Sequence, residues 1–447
     1  MTRILAFDVG TSSVRARMFE DGAGEKNAAA RRDYPGENDP DRLVAAVRAV
    51  KDEVSAPDAD AVGCSSFGHS LLPLDTRGEP LTPVLGWRDT RSADAADRLA
   101  QKVDPEAIHA RTGCHIHTSY WPAKLVWLAE EHPDVLHAAR RFVSFADYLY
   151  MQLLELDDVP TSLSLASGTG LLDLQRRTWD PELLELLALE PDRLPHIDDS
   201  PISGWYPALH DGSCANIGAG CVSRERAVLT VGTSGAFRTV YETERPSPRS
   251  GLFLYRVDER RVVEGGALSD GGNVYEWINE TLMNPVGSLA DRDPDSHGLT
   301  FLTLLGGERS PGWHTHAKGA VHGLTFETTP LDLKQAALEG VAFRFAEVAD
   351  RMPEAQEIVA TGGALLRDDD WLQIIADALG RPVTVSGVQE VSLRGAAVIA
   401  LERLGETPAD APLGRVVEPR AEHAAAYGAA RERQRLVYRA ATGAETS

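Results

Sequence analysis

The chain has 447 residues, of which 43% are hydrophobic, 6% aromatic and 25% charged. That is a globular composition in a chain too long for one core, so about two domains are expected. Sixty-seven acidic against 45 basic residues leave a formal charge of −22, which argues against a nucleic-acid partner, because phosphate backbones are held by clustered Lys and Arg. The four cysteines, Cys64, Cys114, Cys214 and Cys221, are too few and too scattered for a disulfide framework. No apolar run approaches the ~18 residues that span a bilayer, and neither a basic segment nor a cleavage pattern precedes Ile4–Phe7. The expected location is therefore the cytoplasm, with no membrane partner.

Residues 4–19, ILAFDVGTSSVRARMF, read as an apolar strand, a Gly-Thr-Ser turn and a second strand. Ala61–Ser65 is a short apolar strand, Leu125–Glu131 continues a helix, and Leu183–Leu189 is an amphipathic helix. Residues 226–241, RAVLTVGTSGAFRTVY, then repeat the opening pattern about half the chain further on, Val9-Gly10-Thr11-Ser12 matching Val231-Gly232-Thr233-Ser234. Leu331–Met352 carries apolar residues at helical spacing; Glu357–Ala360 reads as a strand, Asp370–Leu379 as a helix, Pro382–Val385 as a strand, and the tail beyond Leu413 as a terminal helix. The echo and the alternation predict two homologous α/β halves, residues 1–224 and 225–447, abutting across a cleft.

Two facing Gly-Thr-Ser turns suit the phosphates of a nucleotide, since glycine admits the backbone and the hydroxyls and N–H groups donate to oxygens. Gly10, Thr11 and Ser12 form one such turn, Gly232, Thr233 and Ser234 the other. The halves differ just before the turn, where Asp8 in the first is matched by Thr230 in the second. One carboxylate rather than two suits Mg²⁺, which keeps most of its waters. No GxxxxGK[ST] pattern is present, so this is not a P-loop protein. Thr361-Gly362-Gly363-Ala364 and Ser269-Asp270-Gly271-Gly272-Asn273 are further glycine turns, each ahead of a helix. Cys114-His115-Ile116-His117 reads as alternation on one strand rather than as zinc ligands, because no second Cys/His pair stands at suitable spacing.

Together these motifs resemble the FGGY carbohydrate kinases. Gly319-Ala-Val-His-Gly-Leu324, followed by Asp332-Leu333 and Ala336-Ala-Leu-Glu339, is similar to that family's C-terminal signature without a mismatch. Asp8–Ser13, Val231–Gly235 and Thr361–Ala364 resemble its two phosphate motifs and its adenosine motif. The resemblance implies two duplicated RNase H-like (actin-like ATPase) domains around a cleft, with ATP as co-substrate, Mg²⁺ as cofactor, and Gly272, Gly363 and Arg367 at the nucleotide. His69–Leu72, Thr112–His117, Ser164–Leu172 and Gly307–Trp313 look most like the gluconate-kinase branch, from which Phe67-Gly68 and Trp121 depart.

The resemblance also places the catalytic base at Asp211, in Leu209-His210-Asp211-Gly212, and the sugar contacts at His69, Trp87, Arg88 and Asp89. Phosphoryl transfer needs a carboxylate to accept the hydroxyl proton, which agrees with Asp211. The small run Gly212–Asn216 is expected to admit a following helix. Arg88 suits a carboxylate partner because its planar fork binds two oxygens. The expected activity is ATP-dependent phosphorylation of a primary hydroxyl of a sugar or sugar acid, gluconate first. A kinase for a pentulose or other polyol, or a non-catalytic nucleotide-binding regulator of the same fold, is the alternative. A homodimer is left open.

Overall fold

A computed structural model of the protein describes residues 2–20, 24–54, 58–290 and 292–443. Two mixed sheets form its frame. The first has the order Gly24–Asp33, Ser13–Glu20, Arg3–Val9, Ala61–Ser66, Leu209–His210; the second runs Phe253–Arg256, Arg261–Leu268, Gly235–Glu242, Arg226–Val231, Glu357–Thr361, Val383–Ser386, Leu413–Val417. Each opens with an antiparallel hairpin whose first strand then pairs in parallel with a later one, Arg3–Val9 with Ala61–Ser66 and Arg226–Val231 with Glu357–Thr361. The parallel registers correspond: Asp8 lies beside Ser65, and Thr230 beside Thr361. The strands carry continuous apolar runs because helices cover both faces. In the second half Trp371, Phe345 and Val341 are wholly buried, each contributing about 1.5–3 kcal/mol from area removed from water.

Several elements differ from the sequence reading. The run Gly212–Asn216 does not make room for a following helix; it is itself part of the helix Asp211–Gly218. The helix that packs on it is Val391–Arg403, far along the chain. Residues 113–118 form a loop, not a strand. Gly113, at φ 70°, ends the helix Pro105–Thr112 in the left-handed region, and the alternating side chains enter an aromatic stack instead of a ladder. The tail beyond Leu413 begins as the edge strand Leu413–Val417 before the helix Ala424–Thr442.

The two helices at the centre join the halves. Val391–Arg403 belongs to the second half but lies on strands Arg3–Val9 and Ala61–Ser66 of the first sheet; Asp211–Gly218 lies against the hairpin strand Gly235–Glu242 of the second. Glycines set their closeness. A Cβ on Gly395 would stand 1.9 Å from the Cys214 carbonyl oxygen, one on Gly218 1.7 Å from that of Val391, and one on Gly63 2.4 Å from that of Ala396. Ile4, Ala6, Ile217, Leu393 and Ala396 accordingly share one core cluster across both halves. Among the described residues no helix is long and apolar enough to cross a membrane.

Candidate active site

A cleft of about 530 Å³ opens between the sheets where both hairpin turns meet the N-terminus of helix Asp211–Gly218. The first turn closes through Gly10 N–H to Ser13 O at 2.9 Å, the second through Gly232 N–H to Ser234 O at 3.0 Å. Each is held from behind. Tyr34 donates its hydroxyl to Gly10 O (2.9 Å) and its N–H to Ser12 O (2.8 Å); Gly272 and Asn273 donate their N–H groups to Gly232 O (2.9 Å) and Thr233 O (3.0 Å). Thr11, Gly232, Thr233 and Ser234 line the cleft, and so do Gly363 and Arg367 from the turn after strand Glu357–Thr361. Gly10, Ser12 and Gly272 do not. Gly272 stands behind the second turn, where a Cβ would come 2.4 Å from Gly232 O.

Asp8, at the end of its strand, is buried; its Oδ1 accepts from Ser65 Oγ at 2.9 Å and its Oδ2 from Arg15 Nη1 at 3.3 Å. Burial pushes its carboxyl up to about 6, against the pull of Arg15 and Ser65 and with the help of the Asp211 and Glu390 charges. A buried carboxylate so incompletely compensated has the chemistry of a cation ligand.

Asp211 is the first residue of its helix, with Oδ1 accepting from Gly212 N–H at 2.7 Å and lying 3.0 Å from His210 Nδ1. Burial opposes its ionisation, but the bond to His210 and the charges of His210 and Arg238 outweigh that and hold the carboxyl at about 2. His69, at φ 63°, lies 2.6 Å through Nδ1 from Gly168 O, so that nitrogen carries the proton. Its Nε2 is 3.4 Å from His210 Nε2. Burial, with the His210 charge adding to it, holds His69 well below the usual imidazole range.

Two guanidinium groups stand over the Trp87 ring, Arg88 at 5.0 Å and Arg309 at 4.2 Å from its centre. Asp89 does not reach the cleft lining: it pairs with Arg91, Nη2 to Oδ2 at 2.6 Å. Phe67 does not line the cleft, because its ring stacks on Phe145 in the core at 5.4 Å, while Gly68 does line it and makes room for the His210 ring.

Sequence reasoning missed several residues here. Tyr120 and Tyr255, one from each half, join their hydroxyls at 2.6 Å beside His69. Lys124 is buried and donates to the carbonyls of Thr118 and Ser119, both at 2.7 Å, which fixes the loop entering the site. His115 stacks between His109 (3.9 Å) and Trp313 (4.6 Å) across the halves. Arg238 and Arg309 also line the cleft. A lone Arg in a strand or loop carries no local signal of this kind, and Arg309 reaches the Trp87 ring only when the halves meet.

A duplicated α/β frame whose two hydroxyl-bearing turns face a helix-borne carboxylate is that of a two-domain phosphotransferase. The description "FGGY family of carbohydrate kinases, N-terminal domain" matches residues 3–204, and its C-terminal counterpart matches residues 227–402. The chain belongs to the FGGY family of carbohydrate kinases, ATP-dependent phosphotransferases. It is 26% identical to a gluconokinase of Bacillus licheniformis, over 97% of this chain and 94% of that one. Two solved structures from Lactobacillus acidophilus, a xylulose kinase and a gluconate kinase, superpose with TM-scores of 0.88 and 0.87; each is 26% identical and covers 98% of both chains.

Proposed function

We propose that the protein phosphorylates a primary hydroxyl of a sugar acid, gluconate or a close analogue, with ATP and Mg²⁺. The observation that supports the acid over a neutral ketose is the pair of guanidinium groups over Trp87. Arg309 is buried; its Nη2 donates to the Leu268 carbonyl, and its Nε has no partner. Burial lowers the guanidinium to about 10, the cost of a cation held without a matched anion. A carboxylate supplies that anion, whereas a neutral ketose does not.

In this reading Asp211 takes the proton of the attacking hydroxyl, and the hydroxyls of Thr11, Thr233 and Ser234 donate to phosphate oxygens. His69 and Trp87 present polar and apolar faces to the sugar. Gly363 and Arg367 flank the base and ribose. Asp8 would hold Mg²⁺ through its water shell, and the ion would neutralise phosphate charge there. Asp8→Ala should therefore raise the Mg²⁺ concentration needed for half-maximal rate and lower the rate at saturation. An unchanged Mg²⁺ titration would leave Asp8 as a turn residue only.

A panel of aldonates, ketoses and polyols assayed for ADP release tests the substrate directly. The acid should be preferred, and a preference for xylulose or glycerol would remove the assignment. Arg88 is exposed, so Arg88→Ala should raise the Michaelis constant for the acid by about fivefold, the ~1 kcal/mol upper value of a solvent-exposed charge pair. Its neutral analogue should lose far less. Equal losses for both would make Arg88 structural.

A further inference from the structure

The two hairpins are copies of one another, but their charges are not. In the first, Arg15 lies directly opposite Asp8 and is shared by two carboxylates, Nη1 3.3 Å from Asp8 Oδ2 and 2.8 Å from Glu390 Oε2. In the second, Arg238 stands opposite Val228, which places it diagonally from Thr230 on the same face. There a hydroxyl has replaced the carboxylate. Arg238 Nη2 donates to Thr230 Oγ1 at 3.0 Å, and its Nε has no partner. Among the described residues no ion pair is made by this guanidinium, although the Asp211 charge acts on it.

The cation nevertheless has a built socket. A Cβ on Gly212 would come 2.9 Å from its Nη1, and one on Gly265, directly across the sheet, would come 2.8 Å from its Cα and Cγ. Asn216, in the helix that Asp211 begins, donates to its carbonyl at 2.8 Å. The socket sets the guanidinium on the cleft floor, alongside the carboxylate of Asp211 and the turn Gly232–Ser234.

We propose that Arg238 is a catalytic residue that contacts the phosphoryl group during its transfer. In that step a lone pair of the substrate hydroxyl oxygen forms a bond to the γ-phosphorus. The bond from that phosphorus to the β–γ bridging oxygen breaks, its electron pair leaving on ADP, and the hydroxyl proton goes to Asp211. Arg238 keeps its own proton throughout and offsets charge on the transferring oxygens, the work a planar cation does best in a water-poor site. The substrate carboxylate is the wrong anion for this position. In an acid phosphorylated at its far end, that group lies at the opposite end of the molecule from the reacting hydroxyl, and Arg238 sits beside Asp211. The inference rests on phosphoryl transfer with Asp211 as base, not on which sugar accepts.

The test compares wild type with Arg238→Ala and Arg238→Lys, using the best acceptor from the panel, together with calorimetric binding of ADP and of ADP–aluminium fluoride with Mg²⁺. In the alanine variant kcat should fall by about 10²–10³-fold, while the Kd for ADP and both Michaelis constants move by less than about threefold. Affinity for ADP–aluminium fluoride should fall along with kcat, added guanidinium ion should restore part of the rate, and lysine should restore little. Unchanged kcat overturns the proposal. So does a loss confined to acid acceptors with ADP–aluminium fluoride binding intact, which would assign Arg238 to the sugar carboxylate, or a joint fall in ADP affinity and melting temperature, which would make it structural. A wild type that prefers a neutral acceptor removes the gluconate reading alone, because aluminium fluoride binding reports on Arg238 whatever the acceptor.

Discussion

Asp211→Asn should leave ATP affinity and the melting temperature in place while turnover falls by about 10²–10⁴-fold, the usual worth of a positioned base. The substitution is close to isosteric, and an amide oxygen can still accept the 2.7 Å bond from Gly212 N–H. It removes the carboxylate charge, which also acts on Asp8 and Arg238, while keeping the shape. Since the contact with His210 holds the carboxyl at about 2 despite burial, Asp211 is ionised at every ordinary pH and contributes no acid limb to the wild-type rate profile. His210→Asn takes away that contact, the carboxyl rises, and an acid limb should move up toward the measurable range. Steady-state ADP release across pH, with the same acceptor for all three proteins, checks both statements. Near-wild-type turnover in the asparagine variant would exclude Asp211 as the base.

The largest structural effect is expected at a glycine far from any ligand. Gly395→Val puts a branched side chain where even a Cβ meets the Cys214 carbonyl oxygen at 1.9 Å. The obstacle is helix backbone, so no rotamer change relieves it. Overpacking costs typically 1–3 kcal/mol where side chains can yield, and here about 3 kcal/mol or more is expected. For a half of this size that is a fall of roughly 6–12 °C in melting temperature. Gly428→Val, in the helix Ala424–Thr442 with open space around its Cβ position, is the control and should shift it only slightly. Equal shifts in the two variants would show that the helix crossing carries no special constraint.

The sequence exposed whatever is encoded locally. Both hairpins announce themselves because two runs of strand residues flank a Gly-Thr-Ser turn, and Pro330–Asp350 does so because its apolar positions recur at helical spacing. The loop at residues 113–118 misleads because Cys114, His115, Ile116 and His117 alternate as a strand would, yet the His115 and His117 rings answer to Trp313 in the other half. Its stop signal, Thr112-Gly113, was present in the chain. The site divides the same way. Of the residues lining the cleft, Asp8, Thr11, Asp211 and Gly232–Ser234 stood in motifs, whereas Arg238, Tyr120 and Tyr255 acquire meaning only from neighbours more than a hundred residues away or from a charge that is missing beside them.

The crossing helices also set terms for recombination. A fragment that ends at Arg224 would carry the first sheet without Val391–Arg403, leaving the face of Ile4, Ala6 and Gly63 open to water. Neither half is a self-sufficient module in the sense that a chimera builder would want. Exchanging second halves between relatives should succeed when residues 391–403 stay with the first-half donor, and yield aggregates when the junction alone guides the cut. The same dependence makes the chain a natural split protein: two fragments cut near residue 224 should be insoluble apart and regain transferase activity when co-expressed.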